Sequence, residues 1–201
     1  MSDRLFGEDV LFFQRLLKSE GFYRGALDGL WGPLSEAAAG AFDAEYEKLK
    51  DRLGTFDRRT EQKISSLSIR AQSEAREFMT RALSRGVNVK IISGTRTYQE
   101  QNSLFRQGRY GNPGPVITRA RGGQSNHNFG IAWDIGIFAE DGAYSTNQSD
   151  YDAVAEYATG PLVWGGSWRS FKDSPHYQLA TAETRISWVR SRFEQGEPYV
   201  V

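Results

Sequence analysis

The stretch Gly130-Ile131-Ala132-Trp133-Asp134-Ile135-Gly136-Ile137-Phe138 constrains the fold more than any other part of the chain. Its alternation predicts a strand over 130–138, because successive side chains of extended chain point to opposite faces. Ile131, Trp133, Ile135 and Ile137 then share a face with the bulk of a core, while Gly130, Ala132, Asp134 and Gly136 share the other. A carboxylate thus projects from a face cleared of bulk, which leaves room beside it for an ion and a peptide.

Helical signals lie on both sides of that strand. Val10, Phe13, Leu16 and Leu17 recur at helical spacing with Gly21 as a stop. Asp28-Gly29-Leu30-Trp31-Gly32 has turn chemistry, Pro33 suits a first helical position, and Leu34, Ala37, Ala38, Ala41 and Phe42 supply the next apolar face. From Glu45 to Arg59 the chain is strongly charged, which reads as a solvated helix end and a domain junction. Ile64, Leu67, Ala71, Ala75, Phe78 and Leu83 trace one long helix that Gly86 would end. Val87–Ile92 is a short strand rich in β-branched residues, and Thr97-Tyr98-Gln99-Glu100 is a capping-box pattern, so Arg96 falls where a strand meets a helix. A glycine-rich loop over 108–124, a helix over 150–158, a strand at His176–Leu179 and a closing helix over 181–195 complete the reading. The expected fold is α+β: a small N-terminal helical domain over 1–50, then an α+β catalytic domain over 51–201 with a small, mainly antiparallel sheet.

Composition narrows the chemistry. A chain of 201 residues suits one or two domains, and 25 acidic against 25 basic residues argue against a general polyanion-binding surface, so nucleic acid is not an expected partner. No stretch approaches the roughly 20 apolar residues that cross a bilayer, so no stable membrane insertion is expected, and residues 1–14 lack the basic start and apolar core of a secretory signal. The absence of cysteine leaves histidine, carboxylate and water as the only metal ligands. The only two histidines both sit beside acids and turn formers, in Ser125-Asn126-His127 leading to Asp134 and in Asp173-Ser174-Pro175-His176. Pro175 biases Ser174 to an extended conformation, so Asp173 and His176 flank a bend and can converge. Two imidazoles and one carboxylate suit zinc and leave a fourth position open, with Asp173 placed to take a proton. The residues alone leave the blander readings open: core or surface histidines, a salt-bridged Asp134, and an Asp173 that only organises its own bend.

As a motif, Ser125-x-His127-x-x-Gly130-x-Ala132-x-Asp134 followed by Asp173-x-x-His176 resembles the zinc D-alanyl-D-alanine carboxypeptidase and L-alanyl-D-glutamate endopeptidase family. Ser93-Gly94-Thr95-Arg96-Thr97-Tyr98 with Glu100-Gln101, Ala120-Arg121-Gly122-Gly123-Gln124 and Trp164-Gly165-Gly166-Ser167-Trp168 extend the likeness toward its endolysin branch, over about Phe56 to the C-terminus. The resemblance implies Zn2+ held by His127, Asp134 and His176, with Asp173 as general base and Arg96 as the cation facing the developing oxyanion. It places Gln124, Ser125 and Trp164 on the substrate side. The carboxypeptidase branch typically carries glutamate before its last histidine and the endopeptidase branch aspartate, so Asp173 implies cleavage between L-alanine and D-glutamate. Thr95, where an aromatic or leucine is common, and Tyr177, where phenylalanine is frequent, are small departures.

Residues from about Gly7 to Tyr46 resemble the small helical peptidoglycan-binding module, with Val10, Gln14, Leu17, Gly21, Leu27-Asp28-Gly29, Gly32, Ala38 and Phe42 in matching places. That likeness implies wall contacts at Asp28, Gly29 and Trp31. The expectation is a monomeric endolysin acting on peptidoglycan, kept in the host cytoplasm until release to the periplasm and wall. The alternatives are a D,D- or L,D-carboxypeptidase of the cell wall and a wall-binding protein without catalysis.

Overall fold

The structure is a computed structural model that describes residues 7–200; residues 1–6, where the expected N-terminal domain and the signal-free start begin, and residue 201 lie outside the described residues. In chain order its principal elements are α1 (Gly7–Ser19), α2 (Pro33–Leu53), α3 (Arg58–Ile64), α4 (Ile69–Ser84), β1 (Val89–Ser93), α5 (Tyr98–Arg106), β2 (Ala132–Ile137), α6 (Gln148–Val154), β3 (Leu162–Trp164), β4 (His176–Leu179) and α7 (Ile186–Gln195). The fold is α+β. Its contacts divide it into two compact units, one comprising Ala44–Thr95 and Ile131–Ala180, the other the chain up to Asp43, Arg96–Gly130 and the chain from Thr181 on.

The first of these holds a four-stranded sheet in the order β1-β2-β4-β3, with every pairing antiparallel. Alternation along β2 divides its two faces as the sequence predicts. Trp133 pairs with Tyr177 across β2 and β4, their rings stacked at 6.4 Å, and Phe78 of α4 packs on Tyr177 at 4.6 Å. Ile64, Leu67, Ala71, Ala75, Phe78 and Met79 are all buried, so this packed side is the core. Asp134 pairs with His176 and Ala132 with Gln178 on the opposite side.

Four expectations change in detail. The long helix is two, α3 and α4, because the chain turns at Ser65–Leu67 and Ser68 caps α4 through the Ala71 amide. The apolar face runs on through the turn, which is why periodicity does not reveal it. The strand expected over 130–138 begins at Ala132, since Gly130 is the left-handed residue (φ 68°) ending a 3-10 turn at Asn126–Phe129. The helix expected over 150–158 is α6 followed by a 3-10 turn at Ala155–Tyr157, and the closing helix starts at Ile186 rather than Thr181. β3, three residues long, is an element the sequence does not predict.

The charged stretch after Glu45 is bound into its unit rather than left as a free linker. Arg76, with its side chain fully buried, donates to both Glu61 carboxylate oxygens at 3.0 and 2.7 Å, and Tyr46 donates to Glu61 at 2.7 Å. The expected junction at 50/51 falls inside α2.

In the other unit, α1 packs against α7 through Phe12, whose ring lies 5.3 Å from Phe193 and 6.2 Å from Tyr98. Phe193 also meets Phe129 at 5.4 Å, and Tyr199 donates to the Phe129 carbonyl at 2.5 Å. An aromatic cluster therefore seats the end of the 3-10 turn that carries His127. Among the described residues no helix is long and apolar enough to cross a membrane.

Candidate metal centre

His176 opens β4 directly opposite Asp134 of β2, and its Nδ1 lies 3.2 Å from Asp134 Oδ1. The other ring nitrogen, Nε2, lies 3.0 Å from Gln178 Oε1. Burial resists charging of the His176 imidazole, but the hydrogen bond and charge of Asp134, helped by Gln178 and the charge of Asp173, outweigh it and raise its pKa above the ordinary 6.5. The Trp168 ring closes on the imidazole at 5.2 Å.

The loop before β4 is braced from several sides. The Asp173 amide donates to the Gly165 carbonyl at 3.1 Å, and the His176 amide donates to the Asp173 carbonyl at 3.2 Å, which makes the bend expected around Pro175. Pro175 hands its own carbonyl to the Ile135 amide at 2.9 Å, tying the bend to β2. Ser174, buried, donates to Gln148 at 2.8 Å, and its carbonyl accepts from Trp164 Nε1 at 2.8 Å. Trp164, expected on the substrate side, is half-buried and has its indole N–H committed to this brace. Gly165 is required by close approach: a Cβ there would lie 2.5 Å from the Asp173 carbonyl oxygen and 3.0 Å from the His176 Cβ.

The space beside Gly136, expected to be open for an ion and a peptide, is filled. A Cβ there would meet Tyr144 at 2.9 Å, Phe138 at 3.0 Å and Ile92 at 3.1 Å. Glycine at this position admits rings rather than a ligand, and the carboxylate of Asp134 retains partial exposure of 19%.

His127 is held from its own side of the chain. Its carbonyl accepts from the Arg96 amide at 3.0 Å, and the buried Asn128 side chain donates to the Arg96 carbonyl at 2.9 Å while accepting from the Gly123 amide at 2.9 Å. Buried Gln101 accepts from the Arg96 guanidinium at 3.3 Å and donates to the Ala120 carbonyl at 3.0 Å. Gln124, exposed, accepts from the Arg121 amide at 3.0 Å, and Ser125 accepts the Asn128 amide on its carbonyl at 2.9 Å. Asn128 and Gln178 are polar neighbours of the group that the sequence reading does not single out; Gln178 leaves a trace, standing two residues from His176 on one strand face, whereas Gln101 already stands in the quoted motif.

One nitrogen each of His127 and His176 and one oxygen of Asp134 all lie within 4.8 Å of one another. Both histidines are buried, at 2% and 6% exposure, so the nitrogens are shielded from competing bulk water. Two imidazoles and a carboxylate without thiolate are the donor set of a zinc site with an open position, and the residues fit that ion.

Asp28, Gly29 and Trp31 lie in the loop between α1 and α2. Asp28 accepts from buried Gln14 at 2.9 Å and from the Leu30 amide at 3.0 Å, the Gly29 amide donates to Gln14 at 2.9 Å, and Trp31 donates to Glu36 at 2.7 Å. The backbone amide of Leu30 and the Gln14 amide hold the Asp28 carboxyl below its ordinary value. Leu30 and Leu34 beside them are exposed.

Known proteins resemble parts of the chain. It is 41% identical over 108 residues to the peptidoglycan L-alanyl-D-glutamate endopeptidase CwlK of Bacillus subtilis (strain 168); the match takes in 49% of this chain and 64% of the relative, less than two thirds of its length. Among solved structures, the L-Ala D-Glu endopeptidase ChiX of Serratia marcescens is 24% identical with a TM-score of 0.49, covering 62% of this chain and 89% of that one. VanYB in complex with D-alanine-D-alanine is 20% identical with a TM-score of 0.43, covering 66% and 79%. Residues 118–179, the segment that carries His127, Asp134, Asp173 and His176, match the model of the family described as D-alanyl-D-alanine carboxypeptidase.

Proposed function

We propose that the protein is a zinc endopeptidase that hydrolyses the L-alanyl-D-glutamate bond of peptidoglycan stem peptides, working as an endolysin. The observation that carries this reading is the His127, Asp134 and His176 group in a chain that is 41% identical over 108 residues to an enzyme named for that reaction. Zinc, when bound, supplies Lewis-acid chemistry at the scissile carbonyl. Asp173, on the braced bend ahead of His176, is the general base that takes the proton of the attacking water. Arg96, oriented by Gln101 and by its main-chain bonds to His127 and Asn128, opposes the negative charge that grows on the carbonyl oxygen. Gln124, Ser125 and Trp164 face the stem peptide, and residues 1–50, through Asp28, Gly29 and Trp31, hold the enzyme on the wall and raise the local substrate concentration. The protein acts as a monomer on the wall after release from the host cytoplasm.

The test is digestion of purified peptidoglycan, with end groups and muropeptides read by mass spectrometry. New D-glutamate amino termini are expected, and their absence sinks the specificity. The family description favours a second reading, trimming of terminal D-alanine, which free D-alanine without internal cleavage would establish. Asp173→Asn is expected to lower kcat by about a hundredfold or more with zinc content unchanged, in line with the general-base contribution of 10²–10⁴. Full activity in that variant removes Asp173 from the mechanism. Wall binding without any hydrolysis by the zinc-loaded native protein indicates a non-catalytic binder.

A further inference from the structure

We propose that Gln178 is a positioning residue of the metal centre: its side-chain oxygen holds the Nε2–H of His176 and so leaves Nδ1 as the nitrogen presented to zinc. The inference rests on His127, Asp134 and His176 being the ligands. An amide oxygen only accepts, so the 3.0 Å contact between Gln178 Oε1 and His176 Nε2 places the proton on Nε2. A neutral imidazole then has its lone pair on Nδ1, and that is the atom beside Asp134 Oδ1. Turning the ring to present Nε2 instead breaks the Gln178 bond and aims an N–H at the Asp134 carboxylate, taking up a lone pair the ion needs.

The platform under Gln178 is rigid. β4 is an inner strand, with Gln178 paired to Ala132 of β2 on one edge and to Val163 of β3 on the other. Period-two geometry puts the Gln178 and His176 side chains on the same face, and Trp168 packs on the imidazole from beside. Asp134, Gln178 and Trp168 together leave the His176 ring one plane and one tautomer.

Zinc affinity, measured by competition with a chelator of known strength, tests this in the wild type, Gln178→Met, Gln178→Glu and His176→Ala. Methionine keeps the bulk but loses the acceptor, and zinc binding is expected to weaken about 10–100-fold, as when outer-sphere partners of metal-bound histidines are removed. Glutamate keeps the acceptor and should bind within about threefold of wild type or more tightly. A long-range 1H–15N spectrum of the zinc-loaded wild type, with only two histidines to assign, should show His176 metallated at Nδ1 and protonated at Nε2. This readout needs no variant to fold. Metal on Nε2, or equal affinity of Gln178→Met and wild type while His176→Ala loses zinc, overturns the role of Gln178 alone. If His176→Ala keeps wild-type affinity, the ligand set itself is wrong and the proposal falls with it.

Discussion

At the scale of single residues, His176 sets opposite pH signs on the metal-free and metal-loaded protein. Its folded pKa is raised, because Asp134 outweighs the burial that disfavours the imidazolium. In the metal-free protein its stabilising contribution is therefore fully present below 6.5 and is lost as pH rises through the higher folded value. Zinc competes with the proton for the ring, so loading strengthens over the same window. Thermal melts with and without zinc should show a larger zinc-induced rise in Tm near about pH 8 than near about pH 6; a rise that shrinks with pH contradicts the assignment. Gly165 offers a second check. Its missing Cβ lets the Asp173 carbonyl approach, and backbone cannot yield as a flexible side chain would. Gly165→Ala should displace the bend bearing Asp173 and His176 and lower kcat/KM about a hundredfold, the scale of an ångström's misplacement, with the circular dichroism spectrum retained. Activity within a few-fold of wild type would mean the bend adapts.

Among the elements, those with a local signal were legible and those defined by partners were not. The capping box at Thr97 is fully formed: Thr97 Oγ1 accepts from the Glu100 amide at 3.2 Å and Glu100 accepts from the Thr97 amide at 2.7 Å. Thr97→Ala should lower unfolding stability by about 1 kcal/mol, seen as a shifted denaturant midpoint at constant slope. β4 begins just after Pro175, where the bend ahead of it ends, and α2 starts on Pro33. The α3–α4 turn was hidden because Ile64, Leu67 and Ala71 keep one apolar stripe across it, and β3 is too short for alternation to register. The grouping of His127, Asp134 and His176 was readable because two histidines leave little choice, whereas Gln178 and Asn128 enter through hydrogen bonds that only the folded chain creates. Gly136 shows the converse error, since a small residue marks space without saying that Tyr144 fills it.

For the molecule as a whole, the proposed tethering role of residues 1–50 has a structural rival. A tether predicts that their removal lowers activity on intact wall and leaves stability and turnover of soluble muropeptides unchanged. The unit holding α1 argues for more. Phe12 is 5% exposed and its ring lies against Phe193 and Tyr98, while Phe193 touches Phe129, two residues beyond His127. Removing the segment bares those rings to water and loosens the seat of the 3-10 turn. Phe12→Ala, a smaller change, should cost about 3–5 kcal/mol, the usual range for a buried phenylalanine. Deletion of 1–50 should therefore lower Tm, weaken zinc binding and reduce turnover even on soluble muropeptides. Calorimetry and muropeptide kinetics on the two variants separate the cases: an unchanged Tm with full soluble activity after deletion would leave the N-terminal helices a tether alone.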